Sequence, residues 1–143
     1  RVLFRSMDHV AEKIMSYPFS NRIKLFKGSS TDPEIVARIK AEIPAGASVM
    51  VTLDSNHTHE HVLNELRTYG PLVTKGNFAI VGDTIIEDMP DTTHRPRAFG
   101  PGNSPKTALD QYLSETDCFA VDARLNAKQL LTYHPGGYLR RIK

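Results

Sequence analysis

The sequence predicts an α/β fold whose sheet is mainly parallel and has an antiparallel edge. Short apolar runs rich in β-branched residues alternate along the chain with segments whose apolar residues recur at helical spacing. Two of these runs, residues 49–53 and 78–81, lead into acidic residues, Asp54 and, after one glycine, Asp83. Because parallel strands end at the same edge of a sheet, we expect both acids where such folds bind ligands.

The bulk composition fits one globular domain of 143 residues. With 40% hydrophobic and 24% charged residues the chain can bury a core, and a net charge of +2 is too small to indicate a nucleic-acid partner. The one cysteine, Cys118, excludes an intrachain disulfide and fits a cytoplasmic protein. No apolar run is as long as the roughly 20 residues that a membrane-spanning helix needs.

The first third of the chain is predicted to contain two helices and a short strand. Residues 7–17 carry apolar residues on one helical face, and residues 23–26 have the composition of a strand. Asp32 and Pro33 are the N-cap and the first residue expected of a helix whose apolar stripe covers residues 35–43.

The middle of the chain contains the strand–helix–strand unit that carries the two acids. Between the strands, residues 58–69 are a predicted helix that a Gly-Pro pair ends. Residues 88–103 contain three prolines, two glycines and no periodicity. This pattern is typical of a loop that closes over substrate, or of a solvated linker. In this region Phe99 is the one aromatic residue, and Asn103 and Lys106 could reach an acceptor molecule.

The last third is predicted to hold one helix and the closing strands. A capped helix begins at residues 104–105, and a strand follows at 119–121. Two further strands, at 129–133 and 138–141, flank a turn at 134–137. Strands joined by so short a link pair antiparallel, which gives the predicted antiparallel edge.

Three segments together resemble a known family. They are residues 28–32 (Gly-Ser-Ser-Thr-Asp), 53–62 (Leu-Asp-Ser-Asn-His-Thr-His-Glu-His-Val) and 100–108 (Gly-Pro-Gly-Asn-Ser-Pro-Lys-Thr-Ala). They are similar to segments of the cephalosporin hydroxylase / rhamnosyl O-methyltransferase family, and the tail at 130–139 fits as well. The Asp-Ser-Asn-His-Thr-x-x-His string is the most specific part of this resemblance.

The resemblance implies a Rossmann-like fold of the class I methyltransferases and an enzyme that methylates a hydroxyl with S-adenosylmethionine, in some members with Mg²⁺. The acceptor would be a sugar, a glycolipid or a natural product, and a glycolipid acceptor would place the enzyme in lipid biosynthesis. The family's Gly-rich cofactor loop and its ribose-binding acid are missing here, so the chain resembles the C-terminal half to two-thirds of the domain. A sheet edge left open by missing strands would favour a homo-oligomer.

Asp54 and Asp83 are the predicted ligands of the metal ion. A hard divalent cation prefers carboxylate oxygens, and the end of a central strand holds them rigidly. The alternatives are an N-cap role for Asp54 and a turn role for Asp83. Metal-dependent relatives end the second strand with a pair of acidic or amide ligands, whereas this chain has Gly82 before Asp83, so Glu87 or His57 could substitute.

The histidine-rich string after the first central strand predicts a catalytic base rather than a zinc site. His57 follows the strand end closely and, with Asp54, is the predicted catalytic pair, with His57 taking the proton of the acceptor hydroxyl; the alternative for His57 is a capping or surface role. His59 is expected to face solvent, and His61 to pack or cap. Zinc is disfavoured because residues two apart do not share a helix face and no cysteine is near. His134, in a turn, is expected at the surface.

The resemblance also implies cofactor contacts. Ser29 and Ser30 are predicted to bind the adenine end of S-adenosylmethionine, with Asp32 and Asp54 as further contacts. The alternative for this turn is helix capping by Asp32.

Two other functions stay open on the sequence alone. One is a metal-dependent hydrolase or hydroxylase that uses Asp54 and His57. The other is a non-catalytic remnant of the methyltransferase domain, because the cofactor loop is missing.

Overall fold

The computed structural model describes residues 8–90 and 96–143, which form two compact units. The first unit extends to Ala45, and the second comprises Gly46–Lys143. The single-domain interpretation stays a prediction. Within the described ranges, none of the helices is long and apolar enough to cross a membrane.

The first unit consists of two helices and a short 3₁₀ turn. These are α1 (Asp8–Met15), the turn Ser20–Arg22 and α2 (Pro33–Ala41). α2 begins as predicted, because Asp32 Oδ1 accepts hydrogen bonds from the backbone N–H groups of Glu34 (2.8 Å) and Ile35 (3.4 Å). Pro33 takes the first helical position, where its missing N–H costs nothing.

The strand predicted at residues 23–26 is wrong. No described strand pairs with this segment, and a strand needs a neighbour to satisfy its backbone N–H and C=O groups. Phe26 instead lies under the guanidinium of Arg38, 5.3 Å from Cζ to the ring centroid. Ile23 and Leu25 of this run are exposed, at 38% and 46% of their surface.

The second unit is a four-stranded mixed sheet with helices. Its elements are β1 (Val51–Leu53), α3 (His59–Tyr69), β2 (Phe78–Val81), α4 (Pro105–Glu115), β3 (Phe119–Val121), α5 (Ala123–Lys128) and β4 (Tyr138–Arg141). The strand order is β1-β2-β4-β3. β1 pairs parallel with β2, while β4 pairs antiparallel with both β2 and β3. β1, β2 and β3 thus point the same way, and the α/β class is confirmed.

The closing hairpin is the second correction. Residues 129–133 form no strand, and the antiparallel strand β4 lies inside the sheet rather than at its edge. The segment after β3 is helical because Asp122 caps it, accepting a 2.9 Å hydrogen bond from the Leu125 N–H. Leu130 and Leu131 are consequently exposed, at 98% and 94% of their surface.

The core of the second unit lies where α3 and α4 pack together and against the sheet. The inward faces of both helices follow the helical spacing of their apolar residues. Buried side chains on them are Val62, Leu63, Leu66, Tyr69, Ala108, Leu109 and Tyr112, and the sheet adds Leu53, Ala79, Val81, Phe119 and Leu139. This packing fixes the strand ends that carry the acids.

Candidate active site

The ends of β1 and β2 bring Asp54 and Asp83 to one edge of the sheet. Leu53 lies opposite Val81 in the parallel register, and the Gly82 N–H donates a 2.7 Å hydrogen bond to the Leu53 carbonyl. The strands β1 and β2 therefore end at the same level of the sheet. The Asp54 side chain is 62% exposed and that of Asp83 35% exposed, so both carboxylates are accessible.

His57 lies between these two carboxylates. Its Nε2 is 3.3 Å from Oδ1 of Asp54 and 3.3 Å from Oδ2 of Asp83. One donor atom of each residue lies within 4.8 Å of the others, and in the described part of the chain no other three His, Cys, Asp or Glu residues meet in this way. The Phe99 ring packs edge-on to the imidazole, with centroids 5.0 Å apart.

The loop that carries His57 is held by internal hydrogen bonds. Asn56 Oδ1 accepts from the N–H of Thr58 at 3.0 Å, which turns the chain into α3. The Ser55 hydroxyl donates a 2.8 Å hydrogen bond to Oε1 of Glu65, a carboxylate on α3 that is 2% exposed. A buried, charged acceptor thus ties the loop to the core helix.

Asp83 has a left-handed backbone, with φ 51° and ψ 33°. This region is sparsely populated by residues other than glycine, and such residues concentrate at functional sites. The Asp83 N–H donates a 2.8 Å hydrogen bond to Nδ1 of His134. Because Nδ1 accepts, the neutral His134 ring carries its proton on Nε2.

The turn that contains His134 packs against the end of β2. The Val81 N–H donates to the Gly137 carbonyl at 2.9 Å, and the buried Thr84 hydroxyl donates to the Pro135 carbonyl at 2.8 Å. His134 lies in a turn and its side chain is partly exposed, but its ring bonds to the Asp83 backbone, a contact that the sequence did not predict. It is the residue of this site that sequence reasoning missed.

A pocket of about 590 Å³ opens beside the cluster. Its polar lining residues include His57, Asp83 and Arg97, and the others are Ile85, Ile86, Met89, Pro96, Phe99 and Tyr133. Part of the loop predicted to close over substrate, residues 88–90 and 96–103, is described, whereas 91–95 lie outside the described residues. Through Phe99 and Arg97 this loop lines the pocket; its role as a lid stays a prediction.

His59 does not face solvent as predicted. Its Nδ1 lies 2.8 Å from the Thr107 hydroxyl and its Nε2 lies 3.0 Å from Oε1 of Gln111, so the ring joins α3 to α4. The backbone N–H of His59 donates to Oδ1 of Asn103 at 2.9 Å. The side chain of Lys106 forms an ion pair with Asp110 at 2.5 Å. These polar groups serve internal contacts.

Glu87 does not join the cluster. Its carboxylate accepts from the Gly102 N–H at 3.0 Å and from the Ser104 hydroxyl at 2.6 Å. It therefore anchors the turn before α4. Of the two substitutes considered for the missing carboxylate at position 82, only His57 lies with Asp54 and Asp83.

The predicted cofactor residues Ser29, Ser30 and Asp32 lie in the first unit. The Ser29 hydroxyl is 3.0 Å from that of Thr31, Ser30 is buried, and Asp32 caps α2. Helix capping, the alternative for this turn, is thus present. Cofactor contacts of these residues stay a prediction.

The donor set at the sheet edge fits a divalent cation. Two carboxylate oxygens and an imidazole nitrogen are donor types that such ions take in proteins, and here they converge from two strand ends. The same arrangement also allows a protonated His57 to bridge both carboxylates without an ion.

Comparison with known proteins places the chain in a family. The family model described as rhamnosyl O-methyltransferase/CmcI matches residues 4–142. A rhamnosyl O-methyltransferase of Mycobacterium tuberculosis is 34% identical over 119 residues, covering 80% of this chain and 45% of the relative. One of Mycobacterium leprae is 31% identical over 151 aligned positions, covering 94% of this chain and 62% of the relative. No solved structure gave a significant match.

In the mixed sheet the antiparallel strand β4 lies among strands that point one way, and acids follow the ends of β1 and β2. These are features of a Rossmann-like methyltransferase fold. The chain belongs to the rhamnosyl O-methyltransferase/CmcI family, which confirms the resemblance read from the sequence. It spans about half the length of the curated relatives it matches, 45% of one and 62% of another.

Proposed function

We propose that the protein containing this chain transfers a methyl group from S-adenosylmethionine to a sugar hydroxyl, aided by a divalent cation on Asp54 and Asp83. Two observations support this: the family match over nearly the whole chain, and the convergence of Asp54, His57 and Asp83 beside a pocket. The relatives are named rhamnosyl O-methyltransferase, and we therefore propose a sugar as the acceptor, either free or in a glycolipid or natural product.

The chain's own residues supply position and environment for this reaction. Asp54 and Asp83 offer carboxylates from strand ends, where the sheet limits their movement. Ile86, Met89 and Phe99 line the pocket beside them with apolar side chains. When bound, S-adenosylmethionine provides an electrophilic methyl and the cation acidifies the acceptor hydroxyl. The acceptor oxygen would form a bond to the methyl carbon as the carbon–sulfur bond breaks, leaving S-adenosylhomocysteine, and the hydroxyl proton would pass to a base at this edge or to solvent.

His57 as general base stays a prediction from the sequence. A base needs a free lone pair on Nε2, but this nitrogen faces two carboxylates at 3.3 Å. Asp54 and Asp83 are further proton acceptors at the same edge, and Asp54 is the more exposed of the two.

Among the proposed cofactor contacts, Ser29, Asp32 and Asp54 are exposed and Ser30 is buried. Asp32 and Ser29 already make hydrogen bonds within their own turn. To contact the cofactor, each side chain would have to make a further hydrogen bond beside the one it already has. Separate Ser29→Ala and Asp54→Asn variants distinguish the two regions in a cofactor titration.

Two other functions, a metal-dependent hydrolase or hydroxylase and a non-catalytic remnant, make different predictions for this site. Relatives named as methyltransferases favour methyl transfer over hydrolysis or hydroxylation at Asp54 and His57. A non-catalytic remnant would keep the fold without retaining affinity for cofactor or cation.

Isothermal titration calorimetry with S-adenosylhomocysteine, with and without Mg²⁺ or Mn²⁺, tests the proposal. We expect binding that the cation strengthens and that Asp54→Asn and Asp83→Asn weaken. Lys40→Gln, on exposed α2, is the control and leaves both affinities unchanged. A folded chain that binds a divalent cation but is indifferent to S-adenosylhomocysteine argues for the hydrolase instead.

A further inference from the structure

We propose that His57 is the third protein ligand of the cation at Asp54 and Asp83, and that this mixed donor set makes the site prefer Mn²⁺ or Co²⁺ to Mg²⁺. The inference rests on the proposed function for the existence of the cation site. It goes beyond it by assigning a nitrogen ligand and a class of metal.

The distances within the cluster match the spacing of neighbouring ligands around one ion. His57 Nε2 is 3.3 Å from an oxygen of Asp54 and 3.3 Å from an oxygen of Asp83. Ligand atoms about 2.1 to 2.3 Å from a six-coordinate ion lie about 3.0 to 3.3 Å apart when they are adjacent. The three side chains therefore need little movement to share one ion.

Gly82 places no side chain beside the Asp54 carboxylate. A Cβ built on Gly82 would lie 3.1 Å from Oδ1 of Asp54 and 3.0 Å from the Leu53 carbonyl oxygen. A side chain at this position would therefore start against the Asp54 carboxylate, at the place where a further oxygen ligand is absent. The Glu87 carboxylate accepts hydrogen bonds from Gly102 and Ser104. Of the two substitutes, His57 is therefore the one that lies with Asp54 and Asp83 in the described part of the chain.

The fold holds the imidazole in position before any ion binds. The His57 side chain is 18% exposed and is packed edge-on by Phe99. Its loop is tied through Ser55 to the buried Glu65 and through Asn56 to the start of α3. A ligand held by its neighbours loses little conformational freedom on binding, which favours coordination.

The imidazole decides the metal preference. Mg²⁺ takes oxygen ligands and gives up its waters reluctantly, whereas Mn²⁺ and Co²⁺ accept imidazole nitrogen more readily. Exchange of one carboxylate for one imidazole therefore weakens Mg²⁺ binding more than Mn²⁺ or Co²⁺ binding.

The test combines calorimetry with pulsed EPR on the wild-type chain loaded with Mn²⁺. We expect Mn²⁺ to bind at least about tenfold more tightly than Mg²⁺, and the EPR spectrum to carry a nitrogen hyperfine coupling. His57→Gln should remove the nitrogen hyperfine coupling and reduce the ratio of the Mn²⁺ affinity to the Mg²⁺ affinity. His59→Gln is the matched control, because His59 belongs to the same histidine string but bonds to Thr107 and Gln111, and both signals should persist.

A second pair of variants tests the role of Gly82. Gly82→Glu should add a carboxylate beside Asp54 and raise the affinity for Mg²⁺ relative to Mn²⁺. Gly82→Ala adds the same Cβ, which crowds Asp54, without the carboxylate, so a gain in Mg²⁺ affinity relative to Mn²⁺ should appear in Gly82→Glu and not in Gly82→Ala. Circular dichroism and the melting temperature establish that each variant is folded.

The outcomes separate this inference from the proposed function. Mn²⁺ that binds and strengthens S-adenosylhomocysteine binding, without nitrogen coupling, overturns the His57 ligand and leaves the methyltransferase proposal standing. Nitrogen coupling in a chain that ignores S-adenosylhomocysteine leaves the His57 ligand standing and shows that this chain does not bind the cofactor by itself. A folded chain that binds neither Mn²⁺ nor Mg²⁺ shows that the three side chains hold no cation, and the inference is wrong.

Discussion

The backbone N–H of Asp83 donates a 2.8 Å hydrogen bond to Nδ1 of His134, which comes 51 positions later in the chain. The bond joins a residue of left-handed backbone, at φ 51°, to the turn that precedes β4. His134 thus supports the backbone from which the Asp83 carboxylate projects. It is a positioning residue rather than a ligand.

His134→Ala should weaken cation binding through Asp83. The variant leaves the half-buried Asp83 N–H without its acceptor, which should reduce the free energy of unfolding by about 1 kcal/mol. We expect the Kd for Mn²⁺ to rise several-fold, measured by calorimetry beside urea denaturation. His134→Asn offers an amide oxygen close to the position of Nδ1 and should restore both values. Equal behaviour of the two variants would exclude the positioning role.

Asp83→Asn should separate the charge of Asp83 from its backbone conformation. Asparagine tolerates the left-handed region about as well as aspartate, so the free energy of unfolding should change by less than about 1 kcal/mol. Loss of the carboxylate should raise the Kd for the cation about 10- to 100-fold. Asp83→Val should add a loss of stability, because a β-branched residue is strained at this φ. A Kd unchanged in Asp83→Asn would show that Asp83 is no ligand.

Ser55→Ala should destabilise the second unit and loosen the loop before α3. The Ser55 hydroxyl donates to the buried Glu65 carboxylate, and removal of a donor to a buried charge costs about 1 to 3 kcal/mol. Urea denaturation measures this loss. Ser114→Ala is the control, because its hydroxyl bonds to the Gln111 carbonyl on an exposed face and its loss should cost under about 0.5 kcal/mol. Similar costs for both variants would contradict the proposed anchor.

Acid should weaken the contact between α3 and α4. Arg67 Nε and Nη2 donate to the Glu115 carboxylate at 2.9 and 2.6 Å, and these bonds, followed by one from Gln111, lower the pKa of Glu115 from 4.5 to about 2. Because the folded pKa is the lower one, the contribution to stability is complete above about pH 4.5 and is lost as the pH falls towards 2. Urea midpoints at about pH 5 and about pH 3 measure the loss.

Glu115→Gln should flatten this acid dependence, because the titrating carboxylate is gone. Arg67→Gln should flatten it to a similar degree, because the carboxylate loses the partner that lowers its pKa. The double variant should add nothing further. An unchanged acid slope in Glu115→Gln would assign the loss of stability to other groups.

The sequence predicted the edge where Asp54 and Asp83 meet because that geometry is local. Each acid follows an apolar run, and parallel strands end together, so only the strand direction had to be inferred. The buried faces of α3 and α4 were predictable for a similar reason, because their apolar residues recur at helical spacing.

The positions of His134 and His59 were not predictable from local patterns. His59 binds residues of α4 nearly fifty positions away, and no periodicity encodes that distance. His134 carried a usable signal: Tyr138 pairs with Ile80, so the turn before Tyr138 must lie beside the residues after β2. The wrong prediction of a strand at 129–133 obscured the position of His134, because a hairpin there would have turned away from β2.

The inner position of β4 has a consequence for synthesis of the protein. Residues Tyr138–Arg141 lie between β2 and β3, although both of these strands precede them in the chain. On the ribosome, β2 and β3 therefore emerge with edges that nothing yet occupies. The sheet can be completed only when the segment up to Arg141 has left the exit tunnel, so a stalled nascent chain that ends before Tyr138 should be a preferred target of chaperones.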